Sequence, residues 1–157
     1  MNAPVKITPA PVKKTIRVQA PQAKAFDVFT RIDGWWPKGH HVGKAPLKTA
    51  IIEPFVGGRW YHISEDGSED VTGYVRAWQP PERLVVSWRL NSKFVADDSV
   101  DSEVEVHFIA ESPTTTRVEL EHRVTAVDGE AISTAVGAPN GWTAIMEIYA
   151  QSVEAAS

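Results

Sequence analysis

The sequence predicts an α+β fold in which an antiparallel sheet packs against a helix at the C-terminus. Segment 53–90 contains strand candidates separated by strong turn signals, which is typical of an antiparallel meander. Segments 103–110 and 117–124 alternate apolar and polar residues, as strands with one buried face do. The last residues carry apolar side chains at helical spacing. A chain of 157 residues is long enough for one such domain.

The stretch from Glu53 to Leu90 organises the predicted sheet. Gly57-Gly58 permits a tight turn, because glycine reaches positive φ at little cost. Asp66-Gly67 is a strong hairpin signal, and Pro80-Pro81, which has no backbone donor, separates two strands. The predicted strands are Trp60–Ser64, Val71–Gln79 and Glu82–Leu90.

The N-terminal third is predicted to contain two strands and a helix. Residues 1–11 read as a flexible tail, and residues 12–157 as a single domain. Pro21 suits the first turn of a helix that ends near Gly34. Trp35 to His41 should be a short helix or an irregular segment near a cavity mouth, followed by a loop to Leu47. The strand candidates are Val12–Gln19 and Lys48–Pro54.

The C-terminal third is predicted to complete the sheet and to add the long helix. Asn91–Ser102 reads as a loop, and Ala126–Pro139 as irregular or as a short helix. Asn140 is a plausible N-cap for the last helix. The apolar stripe of that helix should lie against the concave side of the sheet; it consists of Trp142, Ile145, Met146, Tyr149 and Val153.

Composition excludes several classes of function. The formal net charge is −4, whereas nucleic-acid binding needs a concentrated basic face, so no nucleic-acid partner is predicted. The chain has no cysteine, which excludes disulfides and thiolate chemistry. No stretch is apolar enough to span a membrane, and the N-terminus lacks the apolar core of a signal peptide. A cytoplasmic location is therefore expected.

Several motifs, taken in their order and spacing, resemble the AHSA1-like proteins, relatives of the activator of the Hsp90 ATPase within the START/Bet v 1-like (SRPBCC) superfamily. The resemblance implies a helix-grip fold, in which a curved antiparallel sheet wraps a long C-terminal helix and leaves a cavity between them. It covers most of the chain after about Val12. The motifs are Trp35-Trp36-Pro37, Gly57-Gly58-Arg59-Trp60-Tyr61, Glu65-Asp66-Gly67, Gly73-Tyr74-Val75, Pro80 to Trp88, and Gly141-Trp142.

Strand parity then predicts which side chains line that cavity. The apolar face of each strand should point toward the terminal helix. The surface predicted in this way is apolar and aromatic, with two histidines as polar groups, and would suit a small molecule. The same residues would equally form a filled core. The predicted ligand-binding residues are Trp60, His62, Val75, Val86, Trp88, Val106, Phe108, Leu120, His122, Trp142, Met146 and Tyr149.

His122 interrupts an otherwise apolar strand face. It is either a buried histidine that is hydrogen-bonded within the protein or to water, or a group that anchors a ligand or transfers a proton. It is the main candidate for a catalytic residue, and acid–base chemistry by His62 is the alternative. No metal site and no cofactor are predicted, because the histidines do not show ligand spacing and Val71 stands where a calcium loop begun at Asp66 would need glycine.

The main hypothesis is that the chain binds a small hydrophobic or amphipathic molecule between the sheet and the C-terminal helix, as a monomer or homodimer. One alternative is a protein-interaction module like the Hsp90 co-chaperone relatives. Another is a small cyclase or hydrolase that uses His122. The absence of a nucleophile motif favours binding over catalysis.

Overall fold

A computed structural model describes residues 5–37 and 45–155. Residues 1–4 of the predicted tail lie outside these ranges. So do residues 38–44, which include the end of the segment predicted from Trp35 to His41 and the start of the predicted loop. In the described part of the tail, the backbone of Ile7 exchanges hydrogen bonds with Ala126.

Within the described ranges, seven strands form one antiparallel sheet in the order β1-β7-β6-β5-β4-β3-β2. The sheet packs against the C-terminal helix, which confirms the predicted helix-grip architecture. The strands are β1 (Val12–Val18), β2 (Leu47–Ile52), β3 (Arg59–Ser64), β4 (Glu69–Gln79), β5 (Arg83–Ser87), β6 (Asp101–Ser112) and β7 (Thr115–Thr125). The helices are α1 (Gln22–Thr30), α2 (Gly129–Gly137) and α3 (Ala144–Ala155).

Alternation in β6 and β7 sorts their side chains between the core and the outer face of the sheet. Val104, Val106 and Phe108 are buried, as are Val118, Leu120 and His122. The intervening residues form ion pairs on the outer face, where Arg123 contacts Glu103 and Glu105. Because the period of a strand is two, this parity could be predicted from the sequence, and the structure confirms it.

The last helix begins later than predicted. Gly141 has a non-helical conformation (φ −89°, ψ −129°), and α3 begins only at Ala144. Asn140 is therefore not the N-cap of α3, and that prediction was wrong. A Cβ atom on Gly141 would lie 2.3 Å from the carbonyl oxygen of Val136, so this position requires glycine. The apolar stripe itself is buried as predicted.

Two further boundaries differ from the sequence predictions. The strand expected over Glu82–Leu90 ends at Ser87, and β6 starts at Asp101, two residues earlier than expected. Trp88 and Leu90 nevertheless stay buried, because the connection from β5 to β6 folds back onto the sheet: Arg89 N–H donates to the carbonyl of Thr72, and Trp88 N–H to that of Ser102.

Candidate functional site

A cavity of about 410 Å³ lies at one end of the interior. Strands β3 and β4 and the connection after β5 form one wall, and α2, the turn after it and the start of α3 form the other. The cavity is within the size range of small-molecule sites. Its lining residues are Trp36, Trp60, His62, Thr72, Trp88, Leu90, Phe94, Ala135, Val136, Ala138, Asn140, Gly141, Trp142 and Ile145.

The sheet wall depends on a bulge in β4. Trp60 and His62 point inward by ordinary alternation in β3, and both are buried. Trp60 pairs with Gly73, but Tyr61 pairs with Val71, so Thr72 is an extra residue in β4. Both Thr72 and Gly73 are consequently turned to the interior, as bulges allow.

Gly73 is required at this bulge. A Cβ atom there would lie 1.8 Å from the carbonyl oxygen of Ser87 on the neighbouring strand, closer than any real contact. The glycine therefore lets β5 approach β4 closely, while the Ser87 hydroxyl accepts the N–H of Tyr74 at 2.8 Å. The exposed residue Tyr74 then returns to the outer face, and the inward direction of Val75 is preserved.

The mouth of the cavity carries a strained aromatic residue. Phe94 has φ +58°, a left-handed conformation that is uncommon for a bulky side chain. Asn91 holds the turn: its side-chain oxygen accepts the N–H groups of Lys93 and Val95 at 2.9 and 3.2 Å. Phe94 lines the cavity and is 43% exposed, so it lies between the cavity and the surface.

Trp142 forms the helical wall and is fixed by His122. The indole N–H of Trp142 donates to His122 Nδ1 at 2.9 Å. Because an indole nitrogen can only donate, Nδ1 must be an acceptor. The proton of the neutral ring then lies on Nε2, which donates to the Ser102 hydroxyl at 2.7 Å. Both ring nitrogens of His122 are thus used inside the core.

The electrostatics of His122 agree with this arrangement. Its burial, and to a smaller extent the positive charge of Arg123, lower the pKa of the imidazole to about 3. The ring is neutral near neutral pH, and it packs edge-on against Trp88 with 5.0 Å between ring centroids. These contacts are those of a residue that positions Trp142 and Trp88.

Of the residues predicted to bind a ligand, the structure brings four into the cavity wall: Trp60, His62, Trp88 and Trp142. The other eight are buried around the cavity or deeper in the core, and their contact with a ligand stays a prediction. These are Val75, Val86, Val106, Phe108, Leu120, His122, Met146 and Tyr149.

Sequence reasoning missed much of the rest of the wall. Thr72 could not be predicted from strand alternation, because the bulge in β4 reverses the alternation at this residue. The α2 residues were assigned to a segment that is irregular or a short helix, and none of them was named as a site residue. Trp36 had a signal, since a Trp-Trp pair was expected near a cavity mouth, but it was not named as a site residue. Trp35 packs instead on Phe29 and Tyr149, away from the cavity.

The described part of the wall contains no Asp, Glu, Lys or Arg side chain. Three of its buried polar groups, the indole N–H groups of Trp60 and Trp88 and the hydroxyl of Thr72, have no hydrogen-bond partner. Buried polar groups normally have partners, so these are exceptions, although the three atoms themselves are closed to the cavity.

Across residues 5–37 and 45–155, no three side chains of the metal-binding types cluster in a way that could hold an ion. In the same ranges, no helix is both long and apolar enough to cross a membrane.

Comparison with solved structures identifies similar proteins. The anthrahydroquino-γ-pyrone synthase Txn09, solved in complex with SUM, is 33% identical over 92% of this chain and 97% of its own, with a TM-score of 0.63. The self-sacrificing resistance protein CalC from Micromonospora echinospora is 32% identical over 91% of this chain and 93% of its own, with a TM-score of 0.67.

An AHSA1-like protein from Aeromonas hydrophila, 20% identical over 92% of this chain and 93% of its own, has the same fold with a TM-score of 0.59. No curated protein sequence matches significantly. The family model described as activator of Hsp90 ATPase homolog 1-like protein matches residues 19–154. The chain therefore belongs to the family of activator of Hsp90 ATPase homolog 1-like proteins.

Proposed function

We propose that this protein binds a small hydrophobic or amphipathic molecule in the cavity between the sheet and the C-terminal helix. The observation that carries the proposal is a cavity of about 410 Å³ walled largely by aromatic and aliphatic side chains. Aromatic and apolar walls with a few polar groups are typical of such sites. The 33% identity to a synthase solved with SUM bound supports the same proposal.

Trp88 is the residue whose loss should affect binding most. It lies at the centre of the wall, with ring centroids 5.5 Å from Trp60 and 5.8 Å from Trp142. Trp88→Ala should weaken binding at least about tenfold, which corresponds to about 1.4 kcal/mol. The matched control is Trp78→Ala, because Trp78 packs on Phe26 outside the cavity and its truncation should leave affinity unchanged.

The experiment is a thermal-shift screen with fatty acids, sterols, flavonoids and fused aromatic ketones, followed by calorimetric titration of the compounds that respond. A compound that binds only the folded state at about 100 times its Kd should stabilise it by about 2.7 kcal/mol. No saturable binding in any class would contradict the proposal and would direct attention to protein partners. Equal affinities of wild type and Trp88→Ala would remove Trp88 from the site.

A second candidate is an enzyme acting on a molecule held in the same cavity, because the chain is 33% identical to a synthase over nearly its whole length. We infer that His62, which lines the cavity, is a better candidate for proton transfer than His122. Both nitrogens of His122 are hydrogen-bonded in the core. Loss of turnover in His62→Ala with retained binding would distinguish an enzyme from a carrier.

A further inference from the structure

A short hairpin between β5 and β6, residues 89–98, lies at the mouth of the cavity and is held together by its own hydrogen bonds. Leu90 and Ala96 pair in an isolated antiparallel bridge. At the tip, Phe94 N–H donates to the carbonyl of Asn91 at 2.9 Å. Because these bonds lie within the hairpin, they are kept when the hairpin moves as a unit. We call this segment the mouth hairpin.

The mouth hairpin is attached to its surroundings at its base and at its tip. At the base, Arg89 N–H donates to the carbonyl of Thr72 at 2.7 Å. At the tip, Ser92 N–H donates to the carboxylate of Asp128 at 2.9 Å. Within the described ranges, Asp128 is the one residue outside the hairpin to which residues 91–96 are hydrogen-bonded. The tip is therefore fastened at a single residue.

Asp128 connects the mouth hairpin to the helical wall of the cavity. It directly precedes α2, whose residues Ala135 and Val136 line the cavity. An aspartate at this position usually caps the N–H groups of its own helix, but Asp128 makes no such side-chain bond. Its carboxylate accepts from Ser92 instead. Hydrogen bonds from Ser92 lower the pKa of this carboxyl, so it is ionised near neutral pH.

Phe94, which the mouth hairpin carries, is not locked into the aromatic wall. Four tryptophans of the wall contact one another in a closed circuit, with ring centroids 5.5–6.2 Å apart: Trp36, Trp60, Trp88 and Trp142. In the part of the chain that the structure describes, Phe94 takes part in no such ring contact, although it lines the cavity and is 43% exposed. Its ring can leave the mouth while the circuit stays intact.

We propose that the mouth hairpin is a gate for ligand exchange and that the hydrogen bond from Ser92 to Asp128 holds it closed. This inference rests on the proposed function, since a gate matters only if the cavity takes a small molecule. A ligand enters or leaves while the bond is broken and the tip has moved away from α2. Asp128 thus sets the rate of exchange without touching the ligand, and it is a positioning residue.

The test measures the association and dissociation rate constants of flavone by stopped-flow quenching of tryptophan fluorescence. Asp128→Ala removes the acceptor and should raise both rate constants about fivefold to tenfold, the effect expected for one hydrogen bond to a charged group. Because the bond is the same in the empty and the filled protein, the two increases should cancel. The Kd of flavone should therefore stay within about twofold of wild type.

Two variants are matched controls. Glu130→Ala removes a carboxylate from the first turn of α2 without touching the mouth hairpin, and both rate constants should stay at the wild-type values. Asp128→Asn keeps an oxygen that accepts from Ser92, so it should raise the rate constants less than Asp128→Ala. Thermal melts establish that each variant is folded. Amide hydrogen exchange followed by NMR should show faster exchange at Ser92 in Asp128→Ala than in Glu130→Ala.

The outcomes separate the gate from the binding function. Unchanged rate constants in Asp128→Ala, with flavone still bound, would overturn the gate and leave the binding function in place. A faster dissociation alone, with weaker affinity, would show that Asp128 supports the bound ligand and would also contradict the gate. Unchanged exchange at Ser92 would show that Asp128 does not hold the tip. If flavone and the broader screen both show no binding, the binding function fails, and the gate fails with it.

Discussion

The interior has two halves built from similar residues, one filled and one hollow. In the filled half, Phe29 contacts Phe108, Trp35 and Tyr149 with ring centroids 5.0–5.6 Å apart. In the hollow half, tryptophans surround the cavity at similar spacings of 5.5–6.2 Å. Aromatic content therefore does not decide whether a core is closed; the backbone that carries the side chains does.

The two halves also differ in how their buried polar groups are hydrogen-bonded. In the filled half, Tyr149 donates its hydroxyl to the carbonyl of Ala25 at 2.7 Å, and burial raises the pKa of this phenol. In the hollow half, the buried indole N–H groups of Trp60 and Trp88 have no hydrogen-bond partner among the described residues. A buried donor without a partner costs free energy, so the hollow half is the less optimised of the two for stability.

Trp35 and Trp36 test this comparison most strongly, because they are adjacent in sequence and belong to opposite halves. Trp35→Ala should lower the free energy of unfolding by about 3–5 kcal/mol, since it empties a packed site. Trp36→Ala should cost at least about 1 kcal/mol less, because part of its ring already borders the cavity. Trp35→Ala, in contrast, also removes the indole donor to the carbonyls of Val28 and Phe29.

Urea denaturation measures both values, and the calorimetric titration measures binding. Trp36→Ala should weaken ligand binding, whereas Trp35→Ala, where it stays folded, should affect mainly stability. Equal losses of stability in the two variants would contradict the division into a filled and a hollow half.

The pH dependence of the free energy of unfolding tests whether His122 is buried as a neutral ring in the folded protein. Its pKa is about 3 in the folded protein and about 6.5 when unfolded, so the unfolded state binds the proton more readily. The stability from the neutral ring is fully present above about pH 6.5 and is lost as the pH falls toward 3. Between pH 6.5 and 4.5 the loss should be about 2 kcal/mol.

The control is His122→Gln, whose amide can accept from Trp142 and donate to Ser102 without titrating. The free energy of unfolding of this variant should not show the loss of about 2 kcal/mol between pH 6.5 and 4.5 that is expected from His122. Glu105 titrates in a lower pH range. Hydrogen bonds from Arg83 and Arg123 to its carboxylate lower its pKa to about 2, although burial opposes that shift. Its contribution to stability is therefore lost only as the pH falls below about 4.5. Parallel stability curves for wild type and variant above pH 4.5 would refute the assignment to His122.

The smallest expected effect concerns Phe94 at the cavity mouth. Phe94→Gly relieves the left-handed backbone at φ +58° and loses only a half-exposed side chain, so stability should stay within about 1 kcal/mol of wild type. Phe94→Ala loses the same contacts without relieving the backbone and should be less stable than the glycine variant by about 1 kcal/mol. Denaturant midpoints compare the two.

Both Phe94 variants should bind ligand more weakly than wild type, because the ring lines the cavity. Weaker binding with unchanged stability would show that Phe94 contributes to ligand binding and not to the stability of the fold. Unchanged binding in both variants would exclude it from the site.

The sequence by itself determined the elements and most of their faces. Strict alternation in β6 and β7 predicted which residues are buried, because a strand's period of two leaves no other choice. The apolar stripe that ends at Val153 predicted the buried face of α3, because residues three and four positions apart lie on the same face of a helix. Four residues of the cavity wall, Trp60, His62, Trp88 and Trp142, followed from parity and this stripe.

Only the tertiary structure decided which part of the interior stays open. Local sequence patterns are the same in both halves, so neither Phe108 in the filled half nor Trp88 in the hollow half could be assigned to its half from the residues around it in the sequence. The bulge at Thr72 reverses parity through pairing with β3, and the break at Gly141 turns Trp142 toward His122. Both features depend on contacts between segments that are distant in sequence, and these contacts set the volume left between the packed elements.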